Sequence, residues 1–227
     1  MDLLCLPNEL LLSIASHLAW QRDIHRFAQT NSRIYNLLDR YLYKYNVERD
    51  HSSALLWGAE HGREATVRKA LMEGANIHAR PEGNRTPLSW AAANGHEAIV
   101  TLLLSQKGIY PDLPTYGGET PLVLAAWHGH DQVVRLLLAT PGVNPNFRTA
   151  RDETPLSLAT YRGHTGVVKQ LLDTGCVDPY MQNFRGETPL TLAAGTGKQD
   201  LMKMLLDLHS PDLSHVSNVA TQKIILC

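Results

Sequence analysis

Thr-Pro-Leu occurs four times in this chain, opening at Thr86, Thr120, Thr154 and Thr188, and each interval is 34 residues. A glycine stands nine residues after each threonine, at Gly95, Gly129, Gly163 and Gly197. A leucine stands nine further on, at Leu104, Leu138, Leu172 and Leu206. A fixed period of this length admits few folds. Each unit is too small to bury its own apolar face, so neighbours must stack on one another as a solenoid. Such an array presents a long surface for binding and lacks the enclosed cavity that most enzymes use.

One unit can be read physically from residues 86–108, TPLSWAAANGHEAIVTLLLSQKG. Thr86 suits a helix N-cap, with Pro87 in the first turn where its missing N–H is no loss. Leu88, Ala91 and Ala92 follow at helical spacing, and the small alanines permit close helix approach. Gly95 is expected at positive φ, ending the first helix in a tight turn. A second helix is expected from Glu97 to about Ser105, stopped at Gly108. Its Ile99, Val100, Leu102, Leu103 and Leu104 make it apolar on most sides, as for a helix buried between neighbours. The same reading puts Leu138, in the middle of the array, in the core. Residues 110–118, with Pro111, Pro114, Gly117 and Gly118, are turn chemistry leading to the next threonine.

TPLSWAAANGH (86–96), TPLVLAAWHGH (120–130), TPLSLATYRGH (154–164) and the looser TPLTLAAGTGK (188–198) resemble the ankyrin repeat. A degenerate fifth copy precedes them. Ser53-Ala54-Leu55 begins 33 residues before Thr86, with Trp57, Ala59, Gly62 and Leu71 in register with Trp90, Ala92, Gly95 and Leu104. The resemblance implies helix pairs over 52–84, 86–118, 120–152, 154–186 and 188–210, with 211–227 as a C-terminal cap or truncated repeat. The chain departs from the family at the residue after Thr-Pro-Leu, usually histidine. Here it is Ser89, Val123, Ser157 and Thr191, which predicts weaker ties between turn and helix.

Residues 1–50 do not follow the period. Leu10, Ile14 and Leu18 are spaced four apart, as on one face of a helix opened by Leu6-Pro7-Asn8-Glu9. A second short helix is expected near Asp23, carrying Ile24 and Phe27. Asn31 or Ser32 can cap a third, with Ile34, Leu37, Leu38 and Leu42 inward. The string LPNELLLSIASHL…RDIHRFAQTNSRIYNLL resembles the F-box, and its place before ankyrin repeats resembles an architecture common in filamentous fungi. The resemblance implies docking of residues 6–42 onto the Skp adaptor of a cullin–RING ubiquitin ligase, through Leu6, Pro7, Leu10, Ile14, Leu18 and Ile24. The alternative is that 1–50 is only a helical cap for the solenoid.

Composition excludes several classes. A net charge of −1 gives no overall pull toward nucleic acid or anionic membrane. No apolar run reaches the length of a membrane span, which is ~18–20 residues. The three cysteines, Cys5, Cys176 and Cys227, are far apart and form no CxxC pair, so free thiols and a reducing compartment, cytoplasm or nucleus, are expected. Gly195-Thr196-Gly197-Lys198 looks like the tail of a phosphate loop, but Leu192 and Gln199 stand where that motif needs Gly and Ser or Thr. His96, His130 and His164 recur with the repeat and do not converge as metal ligands; they and His128 read as turn or cap residues. No catalytic signature is present, and neither metal nor cofactor is expected.

By resemblance, the residue before the Ala-Ala pair and the two before the glycine point into a binding groove. These are Trp57, Glu60 and His61; Trp90, Ala93 and Asn94; Trp127 and His128; and Tyr161 and Arg162. Three of the four tryptophans stand on this ladder. Trp57 and Trp90 are equally compatible with filling gaps between repeats. Trp127 and Tyr161 are expected as exposed neighbours. Finger tips add Arg80, Glu82, Tyr116, Phe147, Arg148, Phe184 and Arg185.

The expected molecule is all-α: a small three-helix F-box-like module before an ankyrin solenoid, a monomer when free. It would carry out no chemistry itself. It would bind a target protein along the concave face and present it to a ubiquitin ligase. The alternative is an ankyrin scaffold with no ligase partner.

Overall fold

The computed structural model describes residues 53–80 and 84–208. Ten α-helices and no strand lie among them. They form five pairs: α1 (Ser53–Glu60) with α2 (Glu64–Met72), α3 (Pro87–Ala93) with α4 (Glu97–Leu104), α5 (Pro121–His128) with α6 (Asp131–Leu138), α7 (Pro155–Arg162) with α8 (Thr165–Asp173), and α9 (Pro189–Gly195) with α10 (Gln199–Asp207). The odd-numbered inner helices stack on one another, and the even-numbered outer helices do the same. The F-box-like residues, Glu82 and the segment 211–227 lie outside the described residues.

Each inner helix starts as its sequence requires. Thr86, Thr120, Thr154 and Thr188 are extended N-caps, and each side chain accepts a hydrogen bond from the N–H three residues on, with proline following. Where the family's histidine is missing, a hydroxyl supplies a local hydrogen bond at three of the four sites. The Ser157 and Thr191 hydroxyl oxygens accept from the cap residue's own N–H, closing a capping box. Ser89 Oγ lies 2.9 Å from Thr86 Oγ1. Only Val123 has no hydroxyl to offer.

The core corrects the reading of Leu138. Along α6 the wholly buried residues are Val133, Val134 and Leu137, spaced as one helical face, whereas Leu138 is only partly buried. The same one-residue shift holds at Leu103, Leu171 and Leu205, and Leu206 is 46% exposed. Cys176 is disulfide-bonded, contrary to the free thiol expected there; Cys5 and Cys227 lie outside the described residues.

Two ladders of side-chain bonds tie successive repeats. In the first, His96, His130 and His164 each place Nε2 3.0 Å from a carbonyl of the preceding inner helix, those of Glu60, Ala93 and Trp127. Each carbonyl accepts, so each Nε2 carries the proton. The second ladder runs through positions 78, 112 and 146. His78 Nε2 lies 3.0 Å from the Gly108 carbonyl. Asn146 accepts from the Asp178 N–H and donates to the Cys176 carbonyl at 2.7 Å.

Asp112, at the equivalent position, accepts from the Asn144 N–H at 2.6 Å but leaves Oδ1 buried with no partner. Burial pushes its carboxyl above the usual range, an effect partly offset by the Asn144 hydrogen bond. A pKa raised by folding means the ionised form is disfavoured in the folded state. The associated stability is present at acid pH and lost as pH rises through the folded pKa. Asp112→Asn should therefore stabilise the protein at pH 7 by about 1 kcal/mol, since the amide can copy the two bonds of Asn146. Urea denaturation of both proteins across pH checks this. The variant's advantage should shrink as the solution is acidified. No gain at pH 7 would contradict this account.

Candidate functional site

The inner helices and the finger turns between repeats bound the face where a partner can bind. Each finger is closed at its base by a backbone hydrogen bond, Thr115 N–H to Glu119, Thr149 N–H to Glu153 and Asn183 N–H to Glu187, at 2.9–3.0 Å. Neighbouring fingers are joined by the Ala150 N–H to Gly117 and the Phe184 N–H to Arg151. The side chains of residues 149–153 and 183–187 are thus set on a braced frame.

The sequence-predicted residues divide into four groups. Trp57 is 44% exposed and stacks on His61 at 4.8 Å, while His61 Nδ1 contacts the Trp57 carbonyl at 3.0 Å. That pair stands apart, at the first repeat. Trp90 is half-buried under the Arg85 guanidinium, 4.6 Å from the ring centroid. Trp127 and Tyr161 are stacked neighbours, with centroids 6.2 Å apart and planes 10° from parallel, and Arg162 lies 4.4 Å from the Trp127 centroid. Arg185 covers Phe184 at 5.2 Å.

Several expectations change in detail. Trp127 is half-buried, because Tyr161 and Arg162 pack on it. Ala93 is buried and does not point into the groove. Asn94 directs its amide to the Glu60 and Trp90 carbonyls, so it serves the helix ends. The Glu60 backbone accepts from both Asn94 and His96. Phe147 is half-buried, and Arg148 is held by Asp152 and the Gln182 carbonyl. Tyr116 is 80% exposed, as befits a finger tip. Arg80 is exposed, next to Asn84.

Two depressions meet at Trp127. The first, about 330 Å³, lies between Arg85, Glu119, Trp127, His128 and Arg151. The second, about 410 Å³, lies between Trp127, Tyr161, Phe184, Arg185 and Glu187. Arg151, Glu153 and Leu158 border both. Sequence reading missed Arg85, Arg151, Glu119, Glu153 and Glu187. Four of these carry a signal: the residue before each repeat threonine is Arg85, Glu119, Glu153 or Glu187. Arg151 has none, since the aligned positions in the other repeats are Gly83, Gly117 and Arg185.

The first depression sets two arginines, Arg85 and Arg151, against two glutamates, Glu119 and Glu153, around His128. His128 has its pKa lowered, first by burial and then by His130, Arg162, Arg85 and His164. The ring of His128 stacks on that of His130 at 6.0 Å. This arrangement offers aromatic faces and guanidinium edges for contact, and no nucleophile–base pair. No helix among the described residues is long and apolar enough to cross a membrane.

Comparison with known proteins agrees with this geometry. The model for ankyrin repeats matches residues 55–149 and 141–215. The chain belongs to the ankyrin-repeat family. An F-box-like model matches residues 3–49, so an F-box-like domain precedes the ankyrin array. Among curated proteins, the chain is 44% identical over 66 residues to ankyrin repeat domain-containing protein 49 of Homo sapiens, covering 29% of this chain and 28% of that one. The counterpart in Bos taurus is 42% identical over 65 residues, covering 28% of this chain and 27% of that one. The match spans little more than a quarter of these relatives. Both families are non-enzymatic interaction modules, and the array is a protein-binding surface.

Proposed function

We propose that the protein recruits a target to a Skp–cullin–RING ubiquitin ligase. The F-box-like segment would dock the Skp adaptor through Leu6, Pro7, Leu10, Ile14, Leu18 and Ile24. The trough around Trp127 would hold the target. The observation that carries this reading is the order of modules, an F-box-like match at 3–49 followed directly by ankyrin repeats from 55. The chain transfers nothing itself on this reading; it brings two proteins together, with the concave face of the solenoid as the surface for one of them.

Co-precipitation with purified Skp adaptor tests it. The full chain should bind at micromolar concentration. Leu6→Ala combined with Pro7→Ala should weaken binding by about 2 kcal/mol or more, with the helical circular dichroism of the array retained. Absence of wild-type binding would sink the ligase reading and leave the ankyrin array as a scaffold capped by its first fifty residues.

A further inference from the structure

The charges in the trough are sorted in a way that specifies a ligand. Arg85, Arg162 and Arg185 each lie against an aromatic ring, those of Trp90, Trp127 and Phe184, at 4.6, 4.4 and 5.2 Å. A guanidinium placed over an aromatic face is partly ordered before a ligand arrives and can still present N–H groups to an anion. Arg151 borders both depressions. Ion pairs lie elsewhere among the described residues, for example at Glu64–Arg68 and Asp152–Arg148. Two of the three trough carboxylates are already committed. Glu119 accepts from Thr115 Oγ1 at 2.8 Å, and Glu187 from Asn183 Nδ2 at 2.9 Å. Those bonds hold Glu119 and Glu187 as struts of their own fingers, whereas no hydrogen bond or ion pair among the described residues claims the guanidinium groups of Arg85, Arg151 and Arg185.

We propose that the trough takes an extended acidic segment of the target protein, with one carboxylate between Arg85 and Arg151, a second between Arg151 and Arg185, and an apolar side chain over the Trp127–Tyr161 ridge between them. This rests on the reading of the trough as the target site. Adjacent repeats lie ~10 Å apart, as packed helices do, and an extended chain rises ~3.3 Å per residue. The two acidic residues are therefore about three positions apart. Bidentate carboxylate pairing is the contact that guanidinium geometry favours. Unmodified aspartate or glutamate supplies it.

Glu153 makes the idea testable by sign. It borders both depressions and repels an acidic ligand, but would attract a basic one. A phage-displayed random dodecapeptide library, selected on the immobilised full chain, supplies the probe. Selected sequences should be enriched in Asp and Glu around an apolar residue. Arg151→Ala with Arg185→Ala should weaken capture of the selected clones about tenfold or more, whereas Glu153→Gln should tighten it severalfold. Added salt should weaken capture. Enrichment of basic or uncharged peptides, or insensitivity to the arginine changes, would overturn the acidic assignment. So would weaker capture by Glu153→Gln. An array that yields no enriched peptide while still binding the Skp adaptor also overturns it, and leaves the ligase reading standing. Acidic peptides captured by a chain that ignores the adaptor would do the reverse.

Discussion

Leu137→Ala should lower stability by about 2–5 kcal/mol, and Leu138→Ala by about 1 kcal/mol or less. The two leucines are adjacent in sequence, and only their positions on α6 differ. Leu137 is wholly buried with Val133 and Val134 at the seam between repeats, whereas Leu138 packs on the edge of the core. Truncating Leu137 removes methyl groups from a site walled by neighbours on both sides, so the surroundings can close on the gap only in part. At Leu138 the gap opens toward solvent and water can fill it. Urea denaturation of each variant, followed by circular dichroism, measures the difference. Because a repeat touches only its neighbours, Leu137→Ala should also broaden the transition by letting the two halves of the array melt separately. A larger loss at Leu138 than at Leu137 would mean that α6 is rotated by one residue.

That one-residue displacement marks the limit of what the sequence made legible. The period, the threonine caps and the turn glycines are local devices, and each is visible as a residue type at a fixed offset. Which leucine of a Leu-Leu pair faces inward depends on how the outer helices lean on one another. The residues LLL at 102–104 and 136–138 are apolar on too many sides to reveal it. The groove was legible to a similar degree. Trp127 and Tyr161 occupy equivalent positions 34 residues apart, so stacking the repeats brings them together. The arginines were hidden for a different reason. Arg85 and Arg151 lie in turns whose glycines and prolines announce only a loop, and their role emerges once Trp90 and the two depressions are in place. Likewise Asn94 sits where the family exposes side chains, yet carbonyls at the helix ends claim its amide.

Gly129→Ala should destabilise the protein by about 2–4 kcal/mol, whereas Gly142→Ala should cost about 1 kcal/mol. Both glycines have positive φ, +78° and +86°, so each substitution forces an L-residue into the left-handed region. At Gly142 nothing lies within 4 Å of an added Cβ, and the backbone strain is the whole effect. At Gly129 the added carbon would collide with the His164 imidazole. His164 cannot simply withdraw, because its Nε2 donates to the Trp127 carbonyl at 3.0 Å. The repeat glycine is therefore required twice over, once by its own dihedral angle and once by the histidine of the next repeat. Moving His164 would also release the last turn of α5, which carries Trp127 into the trough. Gly129→Ala should consequently weaken peptide capture as well as stability, and Gly142→Ala should affect stability alone. Thermal denaturation of the two variants provides the comparison, with His164→Ala showing the lost hydrogen bond by itself. Equal losses for Gly129→Ala and Gly142→Ala would mean that the histidine ladder contributes nothing beyond the turn it adjoins.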